Sequence, residues 1–372
     1  MARPFDIVVI GGGAIGLAIA WRSARSGMRV SVIDEHPGAG ASWAAAGMLA
    51  PVTEIHYGED ELLQLNLESA ALYPGFVADL EEATDRDTLY RRAGTLLVAR
   101  DADDHALLND VFTYQVELGL DVERLRSRAT TSLEPALNPS IRSGILVPGD
   151  HQIDNRAFVG ALLAACDSEG VDLIREEALE IVPGGVRTAG GTWGGEVVVI
   201  AAGCRSGTIP GAPDELRRAV RPVKGQLVHL KVPGGTPIVS RNIRGADCYI
   251  VPRPDGRVVV GATVEERGFD ETVTAGATFE LLRAAYELLP GIAELELTET
   301  VAGLRPGTPD NAPLLGWTSV SGVLAATGHY RNGILLTPAT ADAVVALAKQ
   351  QDPPIAIDPF APTRFAGGGL SE

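Results

Sequence analysis

The glycine-rich stretch GGGAIG at residues 11–16 has the spacing of a phosphate-binding turn. It fits the G-x-G-x-x-G pattern, in which the first glycine permits a tight turn and the second lets the backbone approach a pyrophosphate. The third lets a helix pack closely on a strand. Asp34 follows about 20 positions later, where a carboxylate accepts hydrogen bonds from an adenosine ribose. In this context the pattern predicts a dinucleotide site, and a turn that only shapes the backbone is the alternative.

The segment GASWAAAGMLAP at residues 40–51 follows Asp34 after a short loop and contains four small residues in succession, Ala44 to Gly47. Small side chains would let the backbone lie close to a flat ring system such as a flavin. The start of an alanine-rich helix is the alternative. Because the sequence contains only one G-x-G-x-x-G pattern, we expect no separate NAD(P)H site of the same kind.

Polar residues at 329–332, HYRN, lie between a glycine and an apolar segment that is typical of a helix. A helix N-terminus has unpaired N–H groups and a partial positive charge, so it suits an electron-rich ligand. The sequence therefore predicts that the final helix begins at a ligand site, with Arg331 just before it.

The elements around these motifs are those of an α/β protein. Apolar runs at residues 5–10, 28–34, 196–203 and 322–328 predict buried parallel strands. Residues 14–27 and 155–170 predict helices, the first closed by Gly27. Segments 89–100, 226–232 and 248–263 predict antiparallel strands, and the last is a hairpin that turns at residues 254–256.

These elements predict two domains built from separated segments of the chain. The first is a discontinuous Rossmann-like domain that binds the nucleotide, at residues 1–87, 148–220 and 302–366. The second is a substrate domain with an antiparallel sheet, at residues 88–147 and 221–301. The last residues, FAGGGLSE, are expected to fray.

Composition narrows the class of protein. The 372 residues are 45% hydrophobic and 21% charged, enough for one large or two modest domains with buried cores. A net charge of −17 argues against a nucleic-acid partner. No apolar run reaches the roughly 20 residues that span a bilayer, and no cleavage site follows the first apolar stretch. Three scattered cysteines without a histidine cluster indicate a reduced, cytoplasmic protein without a metal site.

A series of stretches resembles one family when the stretches are taken in order. They are VVIGGGAIG, AAAGML, VVVIAAG, PVKGQ, CYIVPR with GRVVVGAT, GLRPGTPDNAPLLG and GHYRNGILLTPAT. From about residue 5 to about residue 350 they are similar to the FAD-dependent D-amino-acid oxidase superfamily, and within it to the glycine oxidases of thiamine biosynthesis (the ThiO type). Monomeric sarcosine oxidases of this superfamily attach their flavin to a cysteine in the C-terminal third. No cysteine follows Cys248 here, so we expect noncovalent FAD.

The resemblance implies oxidative deamination of glycine, with sarcosine or small D-amino acids as further substrates. Oxygen would be the acceptor, and the products would be the 2-oxo acid, ammonia and hydrogen peroxide. The flavin supplies that chemistry, so the protein must bind the carboxylate and position the C–H bond rather than provide a nucleophile. The resemblance also implies that the imine serves thiazole formation, that the protein is a homo-oligomer, and that it contacts a thiazole synthase.

Four residues of the catalytic site follow from the resemblance. Arg305 and the Tyr249 hydroxyl would bind the substrate carboxylate, for which a bidentate arginine is well suited. The alternatives are an arginine in a surface or interdomain ion pair and a half-buried sheet tyrosine. Tyr249 should face the opposite side of its strand from Cys248. Arg331 would be a second active-site arginine or one paired to a carboxylate at the helix entry, and Met48 would line the pocket or belong to the core.

The resemblance places the start of the final helix beside the pyrimidine ring of the flavin. There its dipole and N–H groups would stabilise the negative charge that reduction creates. His329 would act through its backbone or through its side chain. The predicted cofactor contacts are Gly11, Gly13, Ala14, Ile15, Gly16, Asp34, Glu35, Ser42, Ala46, Gly47, Met48, Leu179, His329, Tyr330, Arg331, Asn332, Gly333, Ile334 and Leu335.

The sequence departs from the family at Asp247, where a bacterial glycine oxidase has a histidine. A carboxylate there would alter the substrate preference or would face solvent. D-amino-acid dehydrogenases, which share GLRP-x-TPD but continue to GHG, and sarcosine oxidase-like enzymes are alternatives within the superfamily. A noncatalytic flavin-binding protein is the alternative from another class, but it would have no reason to keep Arg305, Tyr249 and Arg331 together.

Overall fold

The computed structural model describes residues 5–365, so the predicted fraying lies outside the described residues except for Phe365. The helices are α1 (Ala14–Arg25), α2 (Ala41–Ala44), α3 (Asp60–Thr84), α4 (Ala102–Glu117), α5 (Ser127–Leu133), α6 (Asn155–Ser168), α7 (Asp214–Ala219), α8 (Ala275–Leu288) and α9 (Thr337–Ala348). The strands are β1 (Phe5–Ile10), β2 (Val30–Ile33), β3 (Met48–Leu49), β4 (Thr95–Ala99), β5 (Glu123–Arg126), β6 (Ser143–Val147), β7 (His151–Gln152), β8 (Asp172–Ile174), β9 (Glu180–Val182), β10 (Gly185–Thr188), β11 (Gly191–Ile200), β12 (Arg221–Lys231), β13 (Asn242–Arg244), β14 (Tyr249–Pro252), β15 (Arg257–Gly261), β16 (Glu296–Gly307), β17 (Leu314–Trp317) and β18 (Val323–Thr327).

The first sheet has the order β17-β18-β11-β1-β2-β8, with β10 and β9 continuing from β11. Pairings from β18 to β8 are parallel, whereas β17, β10 and β9 are antiparallel. The β-branched residues of β1 and β2 are buried on both sides, as a parallel sheet covered by helices requires. Helices α1, α3, α6 and α9 share one core with this sheet.

The second sheet has the order β16-β12-β15-β14-β13-β4-β6-β5. It is antiparallel except for the parallel pairing of β4 with β13. The predicted hairpin forms between β14 and β15 and turns as expected at residues 253–256. The strand predicted at residues 89–100 is shorter in the structure. Only Thr95–Ala99 joins the sheet, and Arg91 makes an isolated bridge to Gln152.

The two faces of the second sheet have different partners. Val228 of β12 and Ile250 of β14 pack with Leu281 and Leu288 of α8. Leu227, one residue along from Val228, instead faces the other side of the sheet, where Val251, Val259, Ala46 and Met48 pack together. Alternation along the strands therefore presents one face to α8 and the other to the first sheet and its loops.

The strands of the first sheet lie within the three segments predicted for the nucleotide domain. Those of the second sheet lie within the two segments predicted for the substrate domain, apart from β16, which crosses the boundary at residues 301 and 302. The division into domains stays a prediction. Among residues 5–365, none of the helices has the length and apolar character needed to cross a membrane.

Asp150 is a buried carboxylate that caps the turn after β3. It accepts hydrogen bonds from the backbone N–H groups of Val52, at 3.1 Å, and Thr53, at 2.7 Å. Burial raises the pKa of Asp150 to about 7. The folded protein therefore keeps a proton on this carboxyl in a pH range where the unfolded chain has lost it.

We predict that the free energy of unfolding contains a contribution from Asp150 that falls as the pH rises from about 4 to about 7, by about 1.4 kcal/mol per pH unit. Asp150 makes its full contribution to stability when the pH is below its pKa in the unfolded chain. That contribution is lost as the pH rises through its pKa in the folded protein. Melting temperatures of wild type and Asp150→Asn, measured between these pH values, should show a smaller decline for the variant. The same decline in both proteins would contradict this assignment.

Candidate active site

A cavity of about 1150 Å³ lies between the first sheet and the second. This volume exceeds that of an ordinary small-molecule pocket and suits a dinucleotide with a substrate beside it. Its walls include the residues that follow β1, β2, β11 and β18, because the carboxyl ends of these parallel strands meet at one edge of the sheet. The predicted site residues that line it are Gly11, Gly13, Ala14, Ile15, Asp34, Glu35, Ser42, Ala46, Gly47, Met48, Leu179, Tyr249, Arg305, His329, Tyr330, Arg331, Asn332, Gly333 and Ile334.

The glycine turn needs residues without a side chain, because other backbone atoms lie very close to it. Gly11 has a φ of +105°, and a Cβ atom there would lie 2.4 Å from the carbonyl oxygen of Ala201. A Cβ atom at Gly16 would lie 1.9 Å from the carbonyl oxygen of Gly11. Gly16 is not among the residues that line the cavity, and it lies where α1 packs on β1, so its contact with the cofactor stays a prediction.

Asp34 follows β2 and binds the glycine turn directly. Its carboxylate accepts hydrogen bonds from the N–H groups of Gly12, at 2.6 Å, and His36, at 2.8 Å. Each carboxylate oxygen has a second lone pair. The same side chain can therefore shape the turn and accept the predicted hydrogen bonds from a ribose.

Asp34→Ala is expected to weaken FAD retention by about tenfold or more, because it removes the hydrogen bond of a charged group to the glycine turn and the predicted one to the ribose. The ratio of flavin to protein absorbance after desalting measures this. Asp6→Ala is the matched control, since the half-buried Asp6 carboxylate also accepts a backbone N–H, from Arg29. A fully flavinated Asp34→Ala protein would count against the ribose role.

Arg253 fixes the small-residue segment against the second sheet, and no sequence motif had pointed to it. The side chain is 1% exposed. Its guanidinium donates to the carbonyl oxygens of Ala46, at 2.7 Å, and Ile153, at 2.8 Å, and to the amide oxygen of Gln152, at 2.9 Å. Burial lowers the pKa of Arg253 to about 10, so it stays charged at neutral pH. The helical alternative for this segment applies only to Ala41–Ala44, after which the backbone is extended.

Arg305 and Tyr249 come together on the face of the second sheet that borders the cavity. Arg305 Nη1 donates to the carbonyl oxygens of Thr263, at 3.1 Å, and Lys224, at 3.4 Å. Among residues 5–365, no carboxylate forms an ion pair with Arg305. The alternative interpretation of Arg305, as one member of a surface or interdomain ion pair, therefore does not describe these residues. Since a guanidinium has five N–H groups, donors remain for a ligand.

Arg305 lies close enough to Tyr249 to influence the pKa of its hydroxyl. Burial raises the pKa of Tyr249 to about 12, although Arg305 acts in the opposite direction. The hydroxyl therefore stays protonated and can donate to an anion. Cys248 is buried on the α8 side of the sheet, so the predicted alternation of these two neighbours is confirmed. A guanidinium and a phenol that converge in this way can bind a carboxylate.

Arg331 lies at the cavity between two carboxylates. Its Nε is 3.9 Å from Glu54 Oε2, and its Nη2 is 3.9 Å from Glu59 Oε2. Glu54 also pairs with Arg244, and both residues of that pair line the cavity. No sequence pattern pointed to Glu54 or Arg244, because the pair joins residues that are distant in the chain. Arg331 thus borders the site and is also paired to carboxylates, and its role toward substrate stays a prediction.

His329 lines the cavity at the end of β18, but its ring is buried against α9. Its Nε2 is 2.9 Å from the Thr340 hydroxyl. Burial lowers the pKa of His329 to about 3, so the ring is neutral at physiological pH. This geometry favours the backbone as the part of His329 that faces a ligand.

The final helix begins later than predicted, at Thr337. Pro338 has no N–H group to donate to the carbonyl of Ile334, which accepts hydrogen bonds from the Thr337 N–H group, at 3.3 Å, and from the Tyr73 hydroxyl, at 2.6 Å. A turn therefore separates the cavity-lining residues from the helix. The Leu335 side chain lies in the core of the first sheet and does not line the cavity, so its contact with the cofactor stays a prediction.

Asp247 lies at the rim of the cavity, with its side chain 57% exposed and one carboxylate oxygen 3.4 Å from Arg100. This placement favours the solvent-facing alternative.

Comparison with known proteins identifies the same family as the sequence motifs. Residues 6–347 match the family model described as FAD dependent oxidoreductase. The glycine oxidase of Geobacillus kaustophilus is 34% identical over 379 residues, which cover 99% of each protein. The crystal structure of glycine oxidase from that organism has a TM-score of 0.92 and covers 98% of this chain and 99% of that one.

Two further relatives extend this comparison. The structure of glycine oxidase from Bacillus cereus has a TM-score of 0.86 at 30% identity and covers 94% of this chain and 96% of that one. The bifunctional protein ThiO/ThiG of Nostoc sp. is 36% identical over 363 residues, 93% of this chain and 53% of that protein. The resemblance stated from the motifs and the predicted fold class are confirmed.

Proposed function

The chain belongs to the FAD-dependent oxidoreductase family, and from this premise we propose that it is an oxidase of glycine that acts with noncovalent FAD. The 2-oxo acid, ammonia and hydrogen peroxide are the products. Sarcosine and small D-amino acids are further substrates of the same class.

The residues on the first-sheet side of the cavity fit FAD. A Cβ atom at Gly11 would collide with the backbone after β11, so the turn there requires glycine and leaves its backbone open toward the cavity. Asp34 would bind the ribose, and the segment Ala44–Met48, fixed by Arg253, would lie against the ring. The chemistry that FAD supplies when bound is acceptance of a hydride equivalent from the substrate α-carbon, which leaves an imine for hydrolysis.

The residues on the second-sheet side would bind and orient the substrate. Arg305 and the protonated Tyr249 hydroxyl would hold the carboxylate, which fixes where the α-carbon lies. The backbone between β18 and α9 would border the other side of the site. Arg305 supports this proposal most directly, because it is a cavity-lining guanidinium with free donors and no acidic partner among residues 5–365.

The test is peroxide release by FAD-loaded protein with oxygen as sole acceptor, with glycine, sarcosine, D-alanine and D-proline in parallel. We expect the highest kcat/KM with glycine. Flavin bleaching under anaerobic conditions without peroxide release in air would identify a dehydrogenase instead. A flavin that no amine bleaches would identify a noncatalytic flavin-binding protein.

We also propose that the imine from glycine supplies thiazole formation in thiamine biosynthesis, through contact with a thiazole synthase. The relatives named ThiO/ThiG support this link, and the chain spans about half the length of each. A homo-oligomer in the cytoplasm is part of the same proposal. Size-exclusion chromatography with light scattering tests the oligomeric state.

A further inference from the structure

Two glycines lie beneath the side chains that converge at the second sheet. Gly225 belongs to β12 and Gly261 ends β15, and these strands are neighbours in the sheet. Arg305 comes from β16, on one side of this pair of strands, and Tyr249 comes from β14, on the other. The two polar side chains therefore lean inward from opposite directions over the two glycine-containing strands.

The contact distances show how close the ends of Arg305 and Tyr249 lie to the backbone of the sheet. A Cβ atom at Gly225 would be 2.3 Å from Arg305 Nη1, 2.4 Å from Nη2 and 2.5 Å from Cζ. A Cβ atom at Gly261 would be 2.4 Å from the Tyr249 hydroxyl oxygen and 2.5 Å from Cζ. The guanidinium and the phenol thus occupy the space that a side chain at either position would need.

A positive φ does not explain these glycines. Neither Gly225 nor Gly261 has one, so φ does not require glycine at either position. A glycine inside a strand weakens the sheet, and it commonly marks a place where another group approaches the backbone closely. The approaching groups here are the ends of Arg305 and Tyr249.

We propose that Gly225 and Gly261 are positioning residues that set the depth of the substrate carboxylate by letting Arg305 and Tyr249 lie flat on the sheet. The inference rests on the proposed function only in that the bound carboxylate is that of the substrate. With alanine at Gly225, the guanidinium must rise by about 1 Å to reach ordinary contact distance. A displacement of that size in a positioning group is enough to reduce binding and turnover strongly.

The fold itself should tolerate these substitutions. The atoms that a Cβ would meet are the ends of long side chains that border a cavity, not backbone atoms. The displaced side chain can therefore move into the cavity while the strands keep their register. The cost then falls on ligand binding rather than on stability.

The test is titration of holoenzyme with acetate, a carboxylate that cannot be oxidised, followed through the absorbance of bound FAD. We expect Gly225→Ala and Gly261→Ala each to raise the acetate Kd by about tenfold or more, the factor that a hydrogen bond to a charged group contributes. With glycine as substrate, KM should rise more than kcat falls. The FAD content and the melting temperature should match those of Gly276→Ala, a control at a position with open space around it.

A double-mutant cycle separates positioning from general damage. In an Arg305→Ala background the guanidinium is gone, so Gly225→Ala should no longer change the acetate Kd. The proposal is overturned by an unchanged acetate Kd in both single variants, by a wild type that does not bind acetate, or by the same effect of Gly225→Ala with and without Arg305. If Gly225→Ala does not fold, Gly261→Ala tests the same idea through Tyr249. A wild type that binds acetate but does not oxidise glycine would refute the proposed function. The acetate Kd values of the two glycine variants would still decide the inference about Gly225 and Gly261.

Discussion

Arg305→Ala is expected to raise the KM for glycine by about 100-fold or more while FAD stays bound. The guanidinium lies on the sheet side of the cavity, has no acidic partner among residues 5–365, and has N–H donors beyond the two directed at carbonyl oxygens. Removing one partner of a desolvated charge pair costs several kcal/mol, which corresponds to this factor. Steady-state kinetics measure the change in KM, and the flavin content of the purified variant shows whether FAD stays bound.

The control for Arg305→Ala is Arg283→Ala, which removes an exposed arginine that forms ion pairs with Glu280 and Glu287 on α8. That variant should keep the wild-type KM, because exposed ion pairs contribute little. Arg305→Lys should be intermediate, since a lysine keeps the charge but not the fork of donors. Wild-type kinetics in Arg305→Ala would show that Arg305 does not bind the substrate carboxylate.

Arg253→Met is expected to lower the free energy of unfolding by about 3–5 kcal/mol and to reduce FAD retention. The variant leaves the buried Asp154 carboxylate without one of its two cationic neighbours, and it leaves the carbonyl oxygens of Ala46 and Ile153 without their donor. Loss of one partner from a buried ionic network has a cost of this size. Denaturant unfolding of the holoenzyme and the flavin content after desalting are the measurements.

Arg283→Met is the matched control for Arg253→Met, because it makes the same chemical change at an exposed position. If Arg253→Met cannot be purified, Arg253→Lys should give a smaller loss with the same pattern. An Arg253→Met protein with wild-type stability and full FAD content would show that the segment before β3 does not depend on this arginine.

Local patterns predicted the parts of the fold that local interactions determine. The apolar runs of β1, β2 and β11 and the glycine turn after β1 are visible in the sequence because strand burial and backbone approach constrain neighbouring residues. The start of α9 was placed too early, because the residues after Arg331 were interpreted as helix, whereas the helix begins at Thr337 with Pro338 in its first turn.

The candidate site was predicted less completely. Arg305 and Tyr249 were found through the family resemblance, whereas Arg253 binds Ala46 across 207 positions and the pairing of Glu54 with Arg244 spans distant segments. No spacing rule connects such residues. Gly261 did leave a signal, since it lies inside the predicted strand segment 248–263, and an isolated glycine in a strand suggests a close approach. Gly225 precedes the strand predicted at 226–232, and only the structure places it inside β12.

Simultaneous determination of glyoxylate and hydrogen peroxide formed from glycine by purified, FAD-loaded protein in air tests whether the protein is a glycine oxidase. The proposed function predicts that both products appear in equal amounts and that their rate saturates with glycine. A fully flavinated protein that forms neither product from glycine would contradict it.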